Sequence, residues 1–196
     1  MRNTNVKKLT VCSVMIALAA VLSLIKVVRM PLGGSVTLLS MLPIALISVM
    51  YGLRWGMLSS LVYSVIQLIF GITIDGLLGW GLNAEMLIGC IAFDYIVAYS
   101  VIGLAGIVRD KGTVGAAVGT AIALALRFFS HLMSGVIIFA NFEEFVVFGK
   151  SWVGRPWLYS ICYNGLYMLP ELIVTAVAIA FVVRVPVIKR IVREKE

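Results

Sequence analysis

The fold is decided by the stretch RFFSHLMSGVIIF, residues 127–139, which places ionisable side chains inside a long apolar run. Arg127 and His131 are four residues apart, so they share one face of a helix. A second apolar run, IAFDYIVAYS at residues 91–100, carries the acid Asp94. An ionisable group within a membrane span costs roughly 2.5–3.5 kcal/mol on insertion scales, so such groups usually face a cavity or one another.

Two interpretations of these side chains are open at this point. In one, Arg127 and Asp94 form a buried ion pair that holds two helices together. In the other, the ionisable residues line a polar pocket for a small, flat ligand. Ionisable residues inside a membrane are functional candidates by default, and the further polar residues described below favour the pocket.

The composition is that of an integral membrane protein. Of the 196 residues, 62% are hydrophobic and 13% are charged, whereas a soluble domain is about half apolar and a quarter charged. The net charge of +7 does not indicate nucleic-acid binding, because the basic residues flank the apolar runs, as the positive-inside bias requires. Residues 1–196 are therefore predicted to form a single transmembrane domain surrounded by membrane lipid.

The sequence contains six apolar runs, and each is judged by length against the roughly 20 residues that a helix needs to cross a bilayer. They predict an all-α integral membrane protein, a bundle of six transmembrane helices. With the N-terminus inside, the inner segments hold eleven Lys and Arg residues and the outer segments four, which predicts that both termini are cytoplasmic. The predicted spans are residues 9–28, 35–51, 55–73, 82–108, 114–140 and 157–183.

Three connections are then predicted to face outward, and the third, residues 141–156, contains Trp152 and several Phe residues. Loops that combine glycine with aromatic side chains are typical of a lid over a site, and equally of an aromatic belt at the membrane interface. Composition alone does not separate these two interpretations.

The first span carries small residues at helical spacing, with Ser13 and Ala17 four positions apart. Such spacing lets another helix approach closely. The partner is either a separate protein that docks on this face or another helix of the same bundle, and the spacing alone favours internal packing.

The sixth span contributes a polar seam, because Asn164, Tyr167 and Glu171 lie at positions i, i+3 and i+7. Together with the acid and histidine of the earlier spans, it predicts a site in the outer half of the bundle. Aromatic rings, a carboxylate and an amide suit a flat aromatic ligand that carries positive charge. The residues predicted to line this site are Asp94, Tyr95, His131, Phe139, Tyr159 and Asn164, with Arg127 and Tyr163 as secondary candidates.

Catalysis and metal binding are not indicated. His131 is the only histidine, so a multi-histidine metal site is excluded. The sequence Gly149-Lys150-Ser151 matches the end of a nucleotide-binding loop, but Glu144 occupies the position of its first glycine. The sequence therefore predicts neither an enzyme nor a bound cofactor, and any energy for transport must come from another protein.

Four segments together resemble the thiamine-specific substrate-binding (S) components of bacterial energy-coupling factor transporters. They are PLGGSVTLLSMLPI (31–44), FDYIVAYSVIGLAG (93–106), RFFSHLMSGVIIF (127–139) and YSICYNGLYMLPE (159–171). The resemblance implies a six-helix membrane bundle that binds thiamine near the outer face, under the first loop. It also implies a transmembrane coupling protein and two cytoplasmic ATPases as partners.

Carried over by position, the resemblance assigns thiamine binding to the acid–Tyr pair Asp94 and Tyr95 and to the histidine, tyrosine and asparagine of the later spans. It assigns docking on the coupling protein to Ser13 and Ala17. The chain departs from the family pattern where Asp94 replaces a Glu, Phe139 replaces a Trp, and Gly34 replaces a first-loop Trp. A ring from another loop, Trp80 or Trp152, is the candidate to replace the missing one.

The sequence thus predicts the thiamine-binding subunit of an ATP-driven vitamin importer in the bacterial plasma membrane. Three alternatives stay open. One is an S component for another vitamin or for a thiamine precursor. The second is a stand-alone proton-coupled carrier or membrane enzyme that uses Asp94, Arg127, His131 and Glu171 as a relay. The third is a scaffold subunit whose buried polar residues only fix the helix register.

Overall fold

Long helices joined by short connections make up most of the protein. The computed structural model describes residues 2–30, 33–37, 39–139, 146–147, 150–151 and 154–193. The helices are α1 (Arg2–Leu24), α2 (Met41–Tyr51), α3 (Leu53–Thr73), α4 (Ala84–Gly106), α5 (Gly112–Ile137), α6 (Pro156–Val182) and α7 (Pro186–Arg193). Single 3₁₀ turns lie at Leu77–Gly79 and Arg109–Lys111. Two small antiparallel hairpins pair β1 (Lys26–Arg29) with β2 (Ser35–Thr37), and β3 (Val146–Val147) with β4 (Lys150–Ser151).

Among the described residues, five helices are long and apolar enough to cross a membrane. They coincide within a few residues with the predicted spans one, three, four, five and six. The second predicted span differs, because its helix, α2, has only 11 residues and begins at Met41 instead of residue 35. The helical membrane architecture is therefore as predicted, whereas the helix at the second predicted span is shorter than the sequence indicated.

The shortening has its origin in a β-hairpin that the sequence analysis assigned to helix or loop. Helix α1 ends at Leu24, and β1 then pairs with β2 in the register Lys26↔Thr37, Val28↔Val36 and Arg29↔Ser35. Val27 and Val28 are β-branched and favour a strand over a helix. Gly33 takes the positive φ of 87° that the turn requires. The prediction that residues 26–28 and 35–37 are helical was therefore wrong.

Helix α2 forms the centre of the bundle. Its residues Met41 and Pro43–Met50 are buried, and they pack against α1, α3, α4, α6 and α7. Ser48 joins α2 closely to α4, since its hydroxyl donates to the Gly103 carbonyl of α4 and accepts from the Gly106 amide at 2.9 Å. A Cβ on Gly106 would collide with the Ser48 backbone carbonyl, so the absence of a side chain at this position permits the contact. Helices α2 and α4 are thus held together at one fixed level.

Helix α4 is not uniform. It is α-helical over Ala84–Cys90, π-helical over Ile91–Val97 and α-helical again over Ala98–Ser100, and it ends as a 3₁₀ helix over Val101–Gly106. π-Helical segments inside longer helices are rare and occur often at functional sites. Here the segment carries Asp94 and Tyr95, two residues that the sequence singled out.

Candidate ligand-binding site

A cavity of about 90 Å³ lies beneath the β1–β2 hairpin, between α1, α3, α4, α5 and α6. Since about 10–15 Å³ of this kind of volume holds one water molecule, there is room for a small organic molecule. Every helix that surrounds the cavity contributes at least one polar side chain. The lining residues are Ser23, Lys26, Gly33, Gly34, Ser35, Thr37, Ser40, Met41, Gln67, Asp75, Trp80, Asp94, Tyr95, Tyr99, Arg127, His131, Gly135, Phe139, Tyr159, Tyr163, Asn164 and Tyr167.

One wall of the cavity is a row of tyrosines on α6. Tyr159, Tyr163 and Tyr167 follow one another at four-residue intervals, and their neighbouring ring centroids are 5.6 Å and 5.8 Å apart. All three are buried. Tyr95 and Tyr99 of α4 line the cavity as well. These faces offer a flat ligand the stacking surfaces that the sequence predicted.

The acidic group of the site is Asp94. Its Oδ1 lies 2.7 Å from His131 Nδ1, and its Oδ2 accepts a hydrogen bond from the Ser134 hydroxyl. Ser130, on the same helix as His131, donates to the Phe93 carbonyl at 2.6 Å. Three hydrogen bonds thus fix the π-helical segment of α4 against α5, and Asp94 lines the cavity.

The imidazole of His131 is left with one unused atom. A carboxylate only accepts hydrogen bonds, so Nδ1 donates to Asp94, and Nε2 of the neutral ring is then an acceptor. Nε2 is buried and has no hydrogen-bond partner among the described residues. Because a buried polar atom is normally paired, this nitrogen is available for a donor on a ligand.

Asn164 stands beside His131 and is held by its neighbours. Its amide nitrogen donates to the His131 carbonyl at 3.3 Å and to Ser160, while its Oδ1 accepts from the Tyr167 hydroxyl at 2.7 Å. Asn164, Tyr167 and Glu171 are all buried, as the i, i+3, i+7 spacing indicated. The seam therefore faces protein along its length.

Arg127 does not pair with Asp94. Its NH1 lies 3.3 Å from Glu171 Oε2, and its guanidinium carbon is 4.5 Å from the centroid of the Tyr99 ring. The alternative of an Arg127–Asp94 ion pair is thus wrong. Asp94 is met by His131 and Ser134, which lie one and two turns further along α5, whereas Arg127 reaches the deeper acid of α6. Two separate polar networks result.

The mouth of the cavity carries a second ion pair, between Lys26 of β1 and Asp75. The Trp80 indole nitrogen donates to the Asp75 carbonyl at 3.1 Å, which places the Trp80 ring at the cavity. A Cβ on Gly33 would lie 2.7 Å from this ring, and a Cβ on Gly34 would lie 2.8 Å from Tyr163 Oη. The hairpin therefore lies directly on aromatic rings, and Gly34 has no room for the Trp of the family pattern.

The structure brings together nearly all residues that the sequence proposed for the site. Asp94, Tyr95, His131, Phe139, Tyr159 and Asn164 line the cavity, and so do Trp80, Arg127 and Tyr163. Trp152 lies outside the described residues. Several other lining residues were not indicated by the sequence patterns, among them Lys26, Gln67, Asp75 and Tyr99. Gln67 was detectable as a polar residue in the middle of a predicted span. Lys26 and Asp75 lie near the ends of predicted spans, where charged residues are common and do not indicate a site.

The two residues of the proposed docking face, Ser13 and Ala17, are exposed on α1. The Ser13 hydroxyl is occupied by the Leu9 carbonyl of its own helix at 3.0 Å. Cys12 and Ala19, on the opposite side of α1, are buried in the core. The internal packing of α1 therefore uses other small residues, and Ser13 and Ala17 are left exposed by the residues that the structure describes.

Comparison with known proteins identifies the family to which the chain belongs. Residues 9–189 match the family model described as thiamine transporter protein. The chain belongs to this family. It is 30% identical, over 182 residues, to the thiamine transporter ThiT of Bacillus subtilis, with 85% of each chain covered. A solved structure of ThiT from Listeria monocytogenes has the same fold, with a TM-score of 0.72 at 20% identity, covering 96% of this chain and 98% of that one.

Membership confirms the resemblance to thiamine transport proteins. The protein is a transporter and not an enzyme, and its apolar helices make it a multi-pass bacterial membrane protein. The lining of the cavity, aromatic with a few polar groups, suits recognition of a small molecule.

Proposed function

We propose that this transporter is the thiamine-binding S component of an ATP-driven energy-coupling factor importer. In this proposal the chain captures thiamine from outside and delivers it together with a separate transmembrane coupling protein and two cytoplasmic ATPases. The observation that carries the proposal is the Asp94 carboxylate, which lines an aromatic cavity and has no Lys or Arg partner among the described residues. Family membership supports thiamine as the ligand.

The charges at the cavity favour a monovalent cation. Lys26 is balanced by Asp75, and Arg127 is balanced by Glu171. Asp94 accepts hydrogen bonds from the neutral imidazole of His131 and from the hydroxyl of Ser134. Because neither partner carries a positive charge, they leave the negative charge of Asp94 uncompensated. The thiazolium of thiamine carries one positive charge, and tyrosine faces add attraction for such a ring. The amino group of its pyrimidine is a donor for His131 Nε2 or for Asp94.

The membrane topology belongs to the same proposal: six segments in the membrane and both termini in the cytoplasm, with residues 1–196 as one transmembrane domain. The 11 residues of α2 extend about 16 Å as a helix, and the three residues of β2 add about 10 Å. The resulting length of about 26 Å approaches the roughly 30 Å of the hydrocarbon core. The excess of basic residues in the inner segments supports the orientation.

A tryptophan fluorescence titration tests the ligand. Micromolar thiamine is expected to quench the emission of the purified protein, and replacement of Trp80 by Phe should remove more than about half of this quenching, because Trp80 lines the cavity. The control is Trp55→Phe, since Trp55 packs on the core beside α2 and does not line the cavity. Thiamine phosphates, thiamine precursors and other water-soluble vitamins form the comparison series. Absence of quenching and of calorimetric heat with thiamine would refute the proposal.

The coupling partners are tested at the exposed face of α1. Replacement of Ala17 by Phe is expected to lower ATP-dependent thiamine uptake at least about tenfold, because a bulky ring blocks close approach of a second helix. Thiamine binding by the isolated protein should be unchanged. The control is Ile173→Phe, at a position on α6 that is also exposed. Thiamine accumulation in liposomes that contain this chain alone, driven by a proton gradient, would instead establish a stand-alone carrier.

A further inference from the structure

We propose that Glu171 is a positioning residue for the ligand, because its carboxylate fixes strand β2 above the cavity. This inference rests on the proposed function and adds a role for a residue that does not line the cavity itself. Glu171 is only 3% exposed and belongs to α6, whereas β2 is part of the hairpin that covers the site. A bond between them links the interior of the bundle to the cover of the cavity.

The link is made by one oxygen of the carboxylate. Glu171 Oε1 accepts from the Thr37 amide at 3.3 Å and from the Thr37 hydroxyl. The Thr37 hydroxyl has a single proton, so the Ser40 hydroxyl, 2.6 Å away, donates to Thr37 in turn. Both Thr37 and Ser40 line the cavity. The end of β2 and the start of α2 are thus attached to the same carboxylate.

The other oxygen of Glu171 pairs with a buried arginine. Oε2 accepts from Arg127 NH1 at 3.3 Å, and Arg127 is held in turn by Met41 Sδ at 2.9 Å and by the Tyr99 ring. Hydrogen bonds to a charged acceptor are about twice as strong as bonds between neutral groups. The ion pair therefore provides Thr37 with a strong acceptor at a fixed place.

The position of Thr37 determines the position of the whole hairpin. Thr37 pairs with Lys26 in the β1–β2 register, and Lys26 is joined to Asp75 at the rim. The hairpin is consequently attached at both strands, once to the interior and once to the rim. Gly33 and Gly34, at its tip, lie against Trp80 and Tyr163, so a shift of β2 would open the cavity over the tyrosines.

The test replaces Thr37 by Val, which removes the hydroxyl but keeps the shape of the side chain and the Arg127–Glu171 pair. Thiamine is expected to dissociate about tenfold faster, from the loss of one hydrogen bond to a charged group. In the protein without ligand, amide hydrogen exchange is expected to accelerate in β1 and β2 and to stay unchanged in α3 and α5. Thr37→Ser keeps the hydroxyl, so its thiamine dissociation rate and its hydrogen exchange in β1 and β2 should be close to those of the parent protein.

Thr175→Val is the matched control, because Thr175 is a fully buried threonine of α6 whose hydroxyl has no partner among the described residues. A purely structural role for Thr37 would give the two valine variants the same hairpin exchange and the same dissociation rate, which would overturn the inference. In a Glu171→Gln background, Thr37→Val should add less than its full effect, since the two residues act through one bond. Hairpin exchange needs no ligand, so it decides the inference even if thiamine does not bind.

Discussion

Replacement of Asp94 by Asn is expected to weaken thiamine binding about 30-fold or more, the equivalent of about 2 kcal/mol. The substitution keeps the size of the side chain and removes the negative charge that offsets the ligand's positive charge. An amide also cannot accept from both His131 and Ser134 with the two oxygens that Asp94 uses. Calorimetric titration of the purified variant with thiamine measures the loss.

Asp94→Glu is the control for this prediction. It retains the charge and adds one methylene, and it should bind thiamine within about tenfold of the original protein. The unfolding temperature of Asp94→Asn in detergent should stay close to that of the parent, because the partners of Asp94 are a hydroxyl and an imidazole and not a buried cation. A large drop in that temperature with unchanged affinity would make Asp94 a structural residue only.

Replacement of Arg127 by Met is expected to be the most destabilising single change, at about 3–5 kcal/mol. Both side chains of the pair are buried, with 4% and 3% exposure for Arg127 and Glu171. Removal of the guanidinium therefore leaves a carboxylate inside the bundle without its cation. The loss should appear as a large decrease in the thermal unfolding temperature of the detergent-solubilised protein.

A second substitution separates the effect of an unpaired buried charge from the effect of losing the ion pair. The double variant Arg127→Met, Glu171→Leu removes both charges and is expected to recover most of the lost thermal stability, as apolar replacements of buried ion pairs often do. It should still release thiamine faster than the parent, because Thr37 has lost its acceptor. If the single and double variants unfold at the same temperature, the pair does not stabilise the bundle in the way described.

The sequence predicted most helices and most of the cavity lining because both leave strong local signals. Long apolar runs specify spans by length, and ionisable or aromatic residues at helical spacing identify the faces that turn inward. Asn164, Tyr167 and Glu171 were recognisable as one seam on these grounds. Such patterns predict on which side of its own helix a residue lies.

The relative depth of residues on different helices is not contained in those patterns. Arg127 lies beside Glu171 and not Asp94. The relative level of α4, α5 and α6 depends on contacts between helices, such as those of Ser130 with the Phe93 carbonyl and of Ser160 with the Leu132 carbonyl. The same limit hid the pairing of Lys26 with Asp75, whose partners come from separate connections.

Two local features were also not predicted from the sequence. The π-helical segment Ile91–Val97 has an ordinary apolar composition, and the contacts that hold its Phe93 and Asp94 against α5 are not visible in that composition. The β1–β2 hairpin begins within an apolar run that is continuous with α1. Its strands are short, and they are held by tertiary contacts at Asp75 and Glu171, which no local propensity reveals.

The central claim is that thiamine occupies the cavity beneath the hairpin, and a crystal structure of the protein with thiamine tests it most directly. The account predicts the ligand's rings packed on the tyrosines of α6, with a pyrimidine nitrogen within about 3 Å of Asp94 or of His131 Nε2. Thiamine bound elsewhere on the protein, with this cavity empty at a saturating concentration, would contradict it.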